Sequence, residues 1–409
     1  MGATAGLSCS ANRKPILDVT FELINKVTRQ MDFDLSDTQR MMQQSARAFL
    51  SGECPTARVR KLMAGDTAYD PELWNGMAEQ GWQGLLVDEA HGGLGLGLVE
   101  LAAVAEEMGR ACLPGPFLST LWATATLQAA GASATPSGYL KRIAAGELRA
   151  TVALLEESLD WSGAATQLKA TKQSGGYRLE GRKLLVPDAA VADVVLVVAR
   201  LGDQLALLAV DGKAAGLAVR ATPAIDATRK LYELELKQVQ VAADALLAEG
   251  IAAEQALAAG IGAATVVVCA ELVGGMQWTL ETALTYVQTR EQFGKTIGSF
   301  QAVQYQLADM LLWLESGRSA AYYAAWTLSE CDPAAKAAVS IAKAYISDAA
   351  REVGNRGIQS HGGIGFTWEH DLQLYYKRAK GSEIYFGDAT YHREQLAKLT
   401  IDAALAGTI

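Results

Sequence analysis

The sequence has few cysteines and histidines, and each shortage excludes a class of protein. Its cysteines are odd in number and scattered, with no CxxC pair: Cys9, Cys54, Cys112, Cys269 and Cys331. A disulfide framework is therefore not expected, and a reducing cytoplasm is the simplest setting. Only 4 histidines occur, and they provide no cluster of metal ligands. We predict no metal site.

Basic blocks and long apolar runs are also missing. The formal net charge of -9 without a basic block argues against nucleic acid or an anionic membrane as the main partner. No uninterrupted apolar run reaches the roughly 18 residues that a membrane-spanning helix needs, and the longest candidate, around 194–198, has the length of a strand. No secretory apolar segment precedes the cysteines. We expect a cytoplasmic protein without a membrane span.

What the chain does contain is a change of pattern along its length. Its 409 residues, 50% of them hydrophobic, can bury one large core or the cores of two to three domains. Helical spacing runs from Met31 to about Gly146, short β-rich runs follow from about Ala150 to Leu247, and helical spacing resumes at about Ala252. The order predicts an antiparallel barrel or sandwich between two helical domains.

Residues 286–310, YVQTREQFGKTIGSFQAVQYQLADM, predict two helices joined by a tight turn. Arg290 has a guanidinium that can bind a phosphate with two hydrogen bonds. Phe293 offers an aromatic face, and Gln301 lies near a helix start, where unpaired backbone N–H groups favour an anion. The combination suits a dinucleotide. The alternative is a helical hairpin with an exposed arginine and a buried phenylalanine.

A second motif occupies residues 359–380, QSHGGIGFTWEHDLQLYYKRAK. Its glycines allow a ligand to approach the backbone without interference from a Cβ atom. His361, beside Gly362 and Gly363, can bond a cofactor phosphate or ribose. We expect Trp368 to lie in the core.

The two motifs, RxxFG with FQxxQxxLADM and QxHGGxGFTxExxLxxYxKRA, resemble the C-terminal half of the acyl-CoA dehydrogenase family, and the likeness extends back to Met31. The resemblance implies an α+β multidomain fold with an N-terminal α-helical domain at 31–148, a middle β-barrel or sandwich at 149–250 and a C-terminal four-helix bundle at 251–409. Residues 1–30 do not match the family. Either Met31 is the true start, or Ile16 to Val27 form an extra amphipathic helix.

The resemblance also implies a chemistry. In this family a carboxylate removes the α-proton of an acyl-CoA thioester, and the β-hydride passes to FAD. Electron-transferring flavoprotein is the expected acceptor, in a homomeric or heteromeric dimer or tetramer. The residues that the resemblance assigns to FAD, largely to the adenine and phosphate end of a neighbour's molecule, are Arg290, Phe293, Gln301, Gln359, His361, Gly362 and Gly363.

The chain departs from the family where the chemistry should occur, and so resembles bacterial members that lack the usual glutamate. Phe386 stands at the position of that glutamate, and Ala264 at the position of the base in a minority of members. Where the family has Thr-Glu-Pro-x-x-Gly-Ser, this chain has Leu-Leu-Glu-Glu-Ser at 154–158. Where the family has Trp-Ile-Thr, it has Leu-Val-Pro at 185–187, and Pro187 cannot donate a backbone hydrogen bond to a flavin.

Other carboxylates remain as candidates for the base. Asp388 reaches the thioester through a shifted loop, or it caps the following helix. Glu271 projects into the substrate channel, or it pairs with a lysine or arginine; Glu383 is expected to face solvent. Three functions stay open: a dehydrogenase with a displaced base or a partner subunit, a silent structural subunit, and another flavin-dependent acyl-CoA reaction.

Overall fold

The computed structural model describes residues 34–131 and 133–405, with the side chains of 134 and 402–405 excepted. The predicted extension at 1–30, including Ile16 to Val27, and the proposed start at Met31 lie outside the described residues. The first helix that the structure describes is capped by Ser36, whose hydroxyl accepts a hydrogen bond from the Gln39 N–H group while the Gln39 side chain accepts one from the Ser36 N–H group.

The N-terminal third is helical, as the spacing predicts. Two 3-10 turns, Trp82–Gly84 and Glu89–His91, separate the third and fourth helices. The helices are α1 Asp37–Glu53, α2 Thr56–Ala64, α3 Pro71–Glu79, α4 Leu98–Arg110, α5 Phe117–Ala130 and α6 Ala134–Ala144.

The middle of the chain forms an eight-stranded sheet in the order β6-β7-β3-β2-β4-β5-β8, with β1 paired to β4. Its strands are β1 Ala150–Ala153, β2 Lys169–Gln173, β3 Gly176–Pro187, β4 Val194–Leu201, β5 Gln204–Asp211, β6 Leu217–Thr222, β7 Leu231–Ala242 and β8 Leu246–Glu249. The antiparallel prediction was wrong in part, because β1 and β2 both run parallel to β4. The sequence does not reveal β2 because only Ala170 of its five residues is buried.

The last part of the chain is again helical, with α7 Ile251–Thr289, α8 Gln301–Ser329, α9 Ala335–His361, α10 Leu372–Ile384 and α11 Ala389–Leu405. A two-stranded hairpin, β9 Glu291–Gln292 with β10 Lys295–Thr296, connects α7 to α8. Small residues let α7 approach its neighbours closely. A Cβ atom at Gly260 would collide with Thr126 of α5, and one at Gly274 would collide with the Glu106 carbonyl of α4.

Helix α7, rather than the run around 194–198, is the longest apolar segment among the described residues. By length and composition it could cross a membrane, since its most apolar 18-residue window has a mean hydropathy of 2.1. Of that window 78% is buried inside the protein, where α7 packs against α4, α5, α8 and α9. It is the central core helix of the fold. Glycine, alanine and threonine interrupt its valines, so no uninterrupted apolar run marks it.

Candidate active site

The turn between α7 and α8 presents Arg290 and Phe293 to solvent. Arg290 follows the last residue of α7 and makes no ion pair with any residue that the structure describes. Phe293 is 91% exposed and has a left-handed φ of 58°, and Gly294 follows with a φ of 78°. Lys295 lies 4.3 Å above the Phe300 ring. The phenylalanine is therefore not the buried residue of a simple helical hairpin.

The glycine motif lies at the end of α9 and is also open. Gly362 and Gly363 are exposed, and a Cβ atom built on either would contact nothing within 4 Å. Gln359 and Gln301, at the end of α9 and the start of α8, are exposed as well. Both motifs thus present accessible backbone and amide groups. The assignment of these residues to FAD stays a prediction.

His361 of the glycine motif is buried and contacts Tyr286 of the first motif. Its buried ring stacks on Tyr286 of α7 at 4.4 Å and lies edge-on to His370 at 4.6 Å. Nδ1 lies 2.8 Å from the Gly357 carbonyl, and a carbonyl only accepts, so Nδ1 carries the hydrogen and Nε2 is an acceptor. Burial lowers the pKa of His361, which favours this neutral form. Nε2 has no partner among the described residues.

Phe386, at the position that the resemblance assigns to the family's base, is buried among aromatic rings. It is 1% exposed and follows the end of α10. Its ring centroid lies 5.0 Å from that of Trp122 and 5.2 Å from that of Trp161, and the two indoles are 6.2 Å apart. We call these three residues the aromatic wall. It combines side chains from α5, from the loop after β1 and from the turn after α10.

The loop after β1 is held by a partly buried carboxylate. Glu156 accepts hydrogen bonds from the N–H groups of Gln167 and Leu168 at 2.8 and 3.0 Å. Its Oε1 also pairs with Lys183 at 2.7 Å, whose pKa burial lowers to about 8. Glu156, in the 154–158 segment that differs from the family motif, therefore stabilises the loop that carries Trp161.

The other candidate carboxylates have partners in the fold. Asp388 is exposed, and its carboxylate accepts a hydrogen bond from the Tyr391 N–H group at 2.8 Å, which caps α11. A catalytic role for Asp388 stays a prediction. Glu271 is buried and paired with Arg229, which confirms the pairing alternative. Glu383 does not face solvent as expected, because it is 15% exposed and pairs with Arg351 and Lys380 at 2.8 and 2.7 Å.

A buried polar network lies beneath the aromatic wall. Arg229 donates to the Ser382 hydroxyl at 3.1 Å and lies 5.7 Å from the Tyr385 ring centroid. Arg378 pairs with Asp226 at 2.9 Å. These contacts connect the β6–β7 loop to α10. No signal in the sequence indicates them, since a pairing between distant segments leaves no local pattern.

Asp188 belongs to the same interior. It directly follows Pro187, is buried, and accepts a hydrogen bond from the Ser119 hydroxyl at 2.7 Å. Its second oxygen has no partner among the described residues. Burial raises its pKa to about 6, so this carboxyl holds a proton at a pH where an exposed aspartate has lost it.

Trp368 is not in the core as expected. It is 64% exposed, with the Lys377 ammonium 3.3 Å above its ring and Arg60 donating to its carbonyl at 2.8 Å. The helical spacing of the motif fails here because residues 362–371 form a 3-10 segment and turns rather than a helix.

The site fits FAD at one end only. The exposed Arg290 turn and the open glycines suit an adenine nucleotide. At the other end, the three rings of the aromatic wall pack against one another where an isoalloxazine ring would need space. Pro187 has no N–H group to donate to that ring. Among the residues that the structure describes, no group of three His, Cys, Asp or Glu side chains could hold a metal ion.

Comparison with known proteins identifies the family. The model of the acyl-CoA dehydrogenase N-terminal domain matches residues 36–147, and that of the C-terminal domain matches 254–400. Acyl-CoA dehydrogenase IpdE2 of Mycolicibacterium smegmatis is 29% identical over 370 residues, which covers 89% of this chain and 98% of that protein.

Two solved structures extend the comparison. The steroid acyl-CoA dehydrogenase Tcur3481-Tcur3483, solved as a variant, is 30% identical with a TM-score of 0.82, covering 90% of this chain and 99% of that one. PigA with FAD and proline is 26% identical with a TM-score of 0.83 and the same coverage. The predicted α+β fold and the FAD cofactor are confirmed. This chain belongs to the acyl-CoA dehydrogenase family, FAD-binding oxidoreductases that act on CH–CH bonds.

Proposed function

We propose that this chain is one subunit of a cytoplasmic, heteromeric acyl-CoA dehydrogenase that converts an acyl-CoA thioester to the 2-enoyl-CoA. The observation that carries the proposal is a contrast within the chain. The motifs for the nucleotide end of FAD are present and, apart from the buried His361, exposed, while the position assigned to the catalytic base is a buried phenylalanine. The reacting flavin and thioester then lie in the partner subunit.

The chain's own residues serve the nucleotide end of that FAD. Arg290 has a positive charge that pairs with no described residue and suits a phosphate, and Phe293 offers an exposed ring in the same turn. Gly362 and Gly363 allow the nucleotide to approach the backbone, and Gln301 and Gln359 supply amides. His361, with Nε2 as an acceptor, suits a donor such as a ribose hydroxyl or the adenine amino group rather than a phosphate oxygen. Bound FAD supplies the hydride acceptor.

The surroundings of Phe386 also support a reaction site in the partner subunit rather than in this chain. The aromatic wall occupies the place of the base with three packed rings, and Ala264, the minority position, is a buried alanine. Glu271 is committed to Arg229. No carboxylate therefore stands at either family position for the base. Asp188 keeps an oxygen without a partner among the described residues, but it is buried, and its raised pKa favours the protonated form, which cannot remove a proton.

The partner is a subunit of the same family that keeps the glutamate. The name of the solved steroid acyl-CoA dehydrogenase Tcur3481-Tcur3483 joins two proteins, and this chain resembles it over nearly its whole length. We assign the same two-subunit arrangement to the present protein, with electron-transferring flavoprotein as the electron acceptor.

Flavin content tests the proposal. The purified single chain should show little flavin absorbance and should not bleach when acyl-CoA is added. Co-expression with a glutamate-bearing family member from the same genome should give a yellow heteromer with one FAD per pair of unlike subunits. Arg290→Ala should lower the FAD content of that heteromer, whereas Arg220→Ala, an exposed arginine in the middle domain, should not. A single chain that is yellow and active alone contradicts the proposal.

A further inference from the structure

The turn that carries Phe386 is held by side chains from α9 and α11. It connects α10 to α11, and Phe386 has a left-handed φ of 59° there, followed by Gly387 with a φ of 99°. A left-handed conformation is unfavourable for a residue with a Cβ atom. The carbonyl groups of Glu383, Phe386 and Gly387 all accept hydrogen bonds from side chains outside the turn. The backbone path is thus imposed from its surroundings.

Lys343 of α9 provides the first of these contacts. Its ammonium group is completely buried and donates to the Glu383 and Gly387 carbonyls at 2.8 and 2.9 Å and to the Ser347 hydroxyl at 3.1 Å. The three donors of the ammonium therefore meet three neutral acceptors. No carboxylate among the described residues lies within ion-pair distance of it.

The end of α10 explains how this cation is tolerated. The last carbonyl groups of a helix lack partners within the helix and carry the negative end of its dipole. Helix α10 ends at Ile384 without a basic residue in its last turn. Lys343 supplies from α9 the C-terminal cap that α10 lacks, and in the same contact it holds Gly387.

His392 of α11 provides the second contact. Its Nε2 lies 3.1 Å from the Phe386 carbonyl, and its Nδ1 lies 3.2 Å from the Ser340 hydroxyl. Because the carbonyl only accepts, Nε2 carries the hydrogen and Nδ1 accepts from Ser340. The ring is buried and bridges the turn to α9.

We infer that Lys343 and His392 are positioning residues that fix the turn between α10 and α11 and thereby hold the side chain at position 386 against Trp122 and Trp161. Their bonds are to backbone carbonyls, so they act on any side chain at 386. The consequence, that the wall keeps acyl-CoA out of this chain, rests on the proposed function. The positioning role does not depend on it.

The test uses two buried histidines that each bond a backbone carbonyl. His392→Phe removes the contact to the turn, and His361→Phe is the matched control in the glycine motif. Near-ultraviolet circular dichroism of the single chain reports the packed indoles of the wall. The difference between the spectra of the wild type and of Trp161→Phe defines their contribution. His392→Phe should lose about half or more of that contribution, because the rings separate, while His361→Phe should retain it.

Lys343→Met tests the second contact independently, should the first variant fold poorly. It should lose the same spectroscopic signal and should gain binding of octanoyl-CoA, measured by calorimetry. The inference is overturned if both positioning variants fold and keep the wild-type signal. If the signal is lost but octanoyl-CoA still does not bind, the positioning role stands and the explanation of acyl-CoA exclusion is wrong. The flavin content of the heteromer is measured separately and does not affect this result.

Discussion

The ring of Phe386 meets the indole of Trp122 edge-on, with 5.0 Å between the centroids and 86° between the planes. Phe386 comes from the turn after α10 and Trp122 from α5, so the contact joins the C-terminal helices to the N-terminal domain. Edge-on aromatic pairs are favourable beyond the area that they bury. Phe386, which the sequence predicts to stand in place of the family's base, is therefore part of the packing of this chain.

Replacing the phenylalanine by glutamate should not create an active single chain. Phe386→Glu puts a carboxylate among packed rings, where burial without a partner is unfavourable. We therefore expect the free energy of unfolding to fall by roughly 3 kcal/mol or more. Urea denaturation measures the change. Phe366→Glu, at a position that is 69% exposed, is the control and should change stability by less than about 0.5 kcal/mol. A stable, active Phe386→Glu chain would contradict this prediction.

Glu271→Gln should destabilise the protein strongly. The substitution leaves the buried guanidinium of Arg229 without its carboxylate, and breaking a buried pair in this way costs about 3–5 kcal/mol. Chemical denaturation at pH 7 measures the loss. Glu315→Gln, which removes an exposed partner of Arg318, should cost less than about 1 kcal/mol. Equal effects of the two substitutions would show that the buried pair has no special role.

Asp188 should make the protein less stable as the pH rises from about 4 to about 6. Its pKa is about 6 in the folded chain, so in this range the folded state keeps a proton that the unfolded state has released, and stability falls with rising pH. Asp188→Asn should remove this fall, which is on the order of 3 kcal/mol. Denaturation curves between pH 4 and 7 test it, with the exposed Asp203→Asn as control.

His392 should have the opposite pH dependence. Burial lowers its pKa to about 4, so between about 6.5 and 4 the unfolded state binds a proton that the folded state does not. Its contribution to stability is present above this range and is lost as the pH falls through it. His392→Phe should flatten this acid branch of the stability curve. An unchanged slope in the variant would mean that His392 is protonated in the folded protein.

The sequence alone was sufficient wherever the information is local. The RxxFG turn, the glycine motif and the change from helical to strand spacing each depend on neighbouring residues, because backbone conformation and periodicity are set within a few positions. The same applies to the predicted loss of the base, which rests on a phenylalanine in a recognisable motif. The family and its cofactor followed from these features.

Only the tertiary structure decided which distant side chains meet. It placed Trp122 and Trp161 against Phe386, paired Glu271 with Arg229, and put Lys343 under the turn after α10. It also exposed Trp368, which its apolar character had suggested was buried. Such contacts arise when helices and strands pack, and burial then determines charge states and hydrogen-bond partners. The sequence contains no local pattern that indicates these pairings.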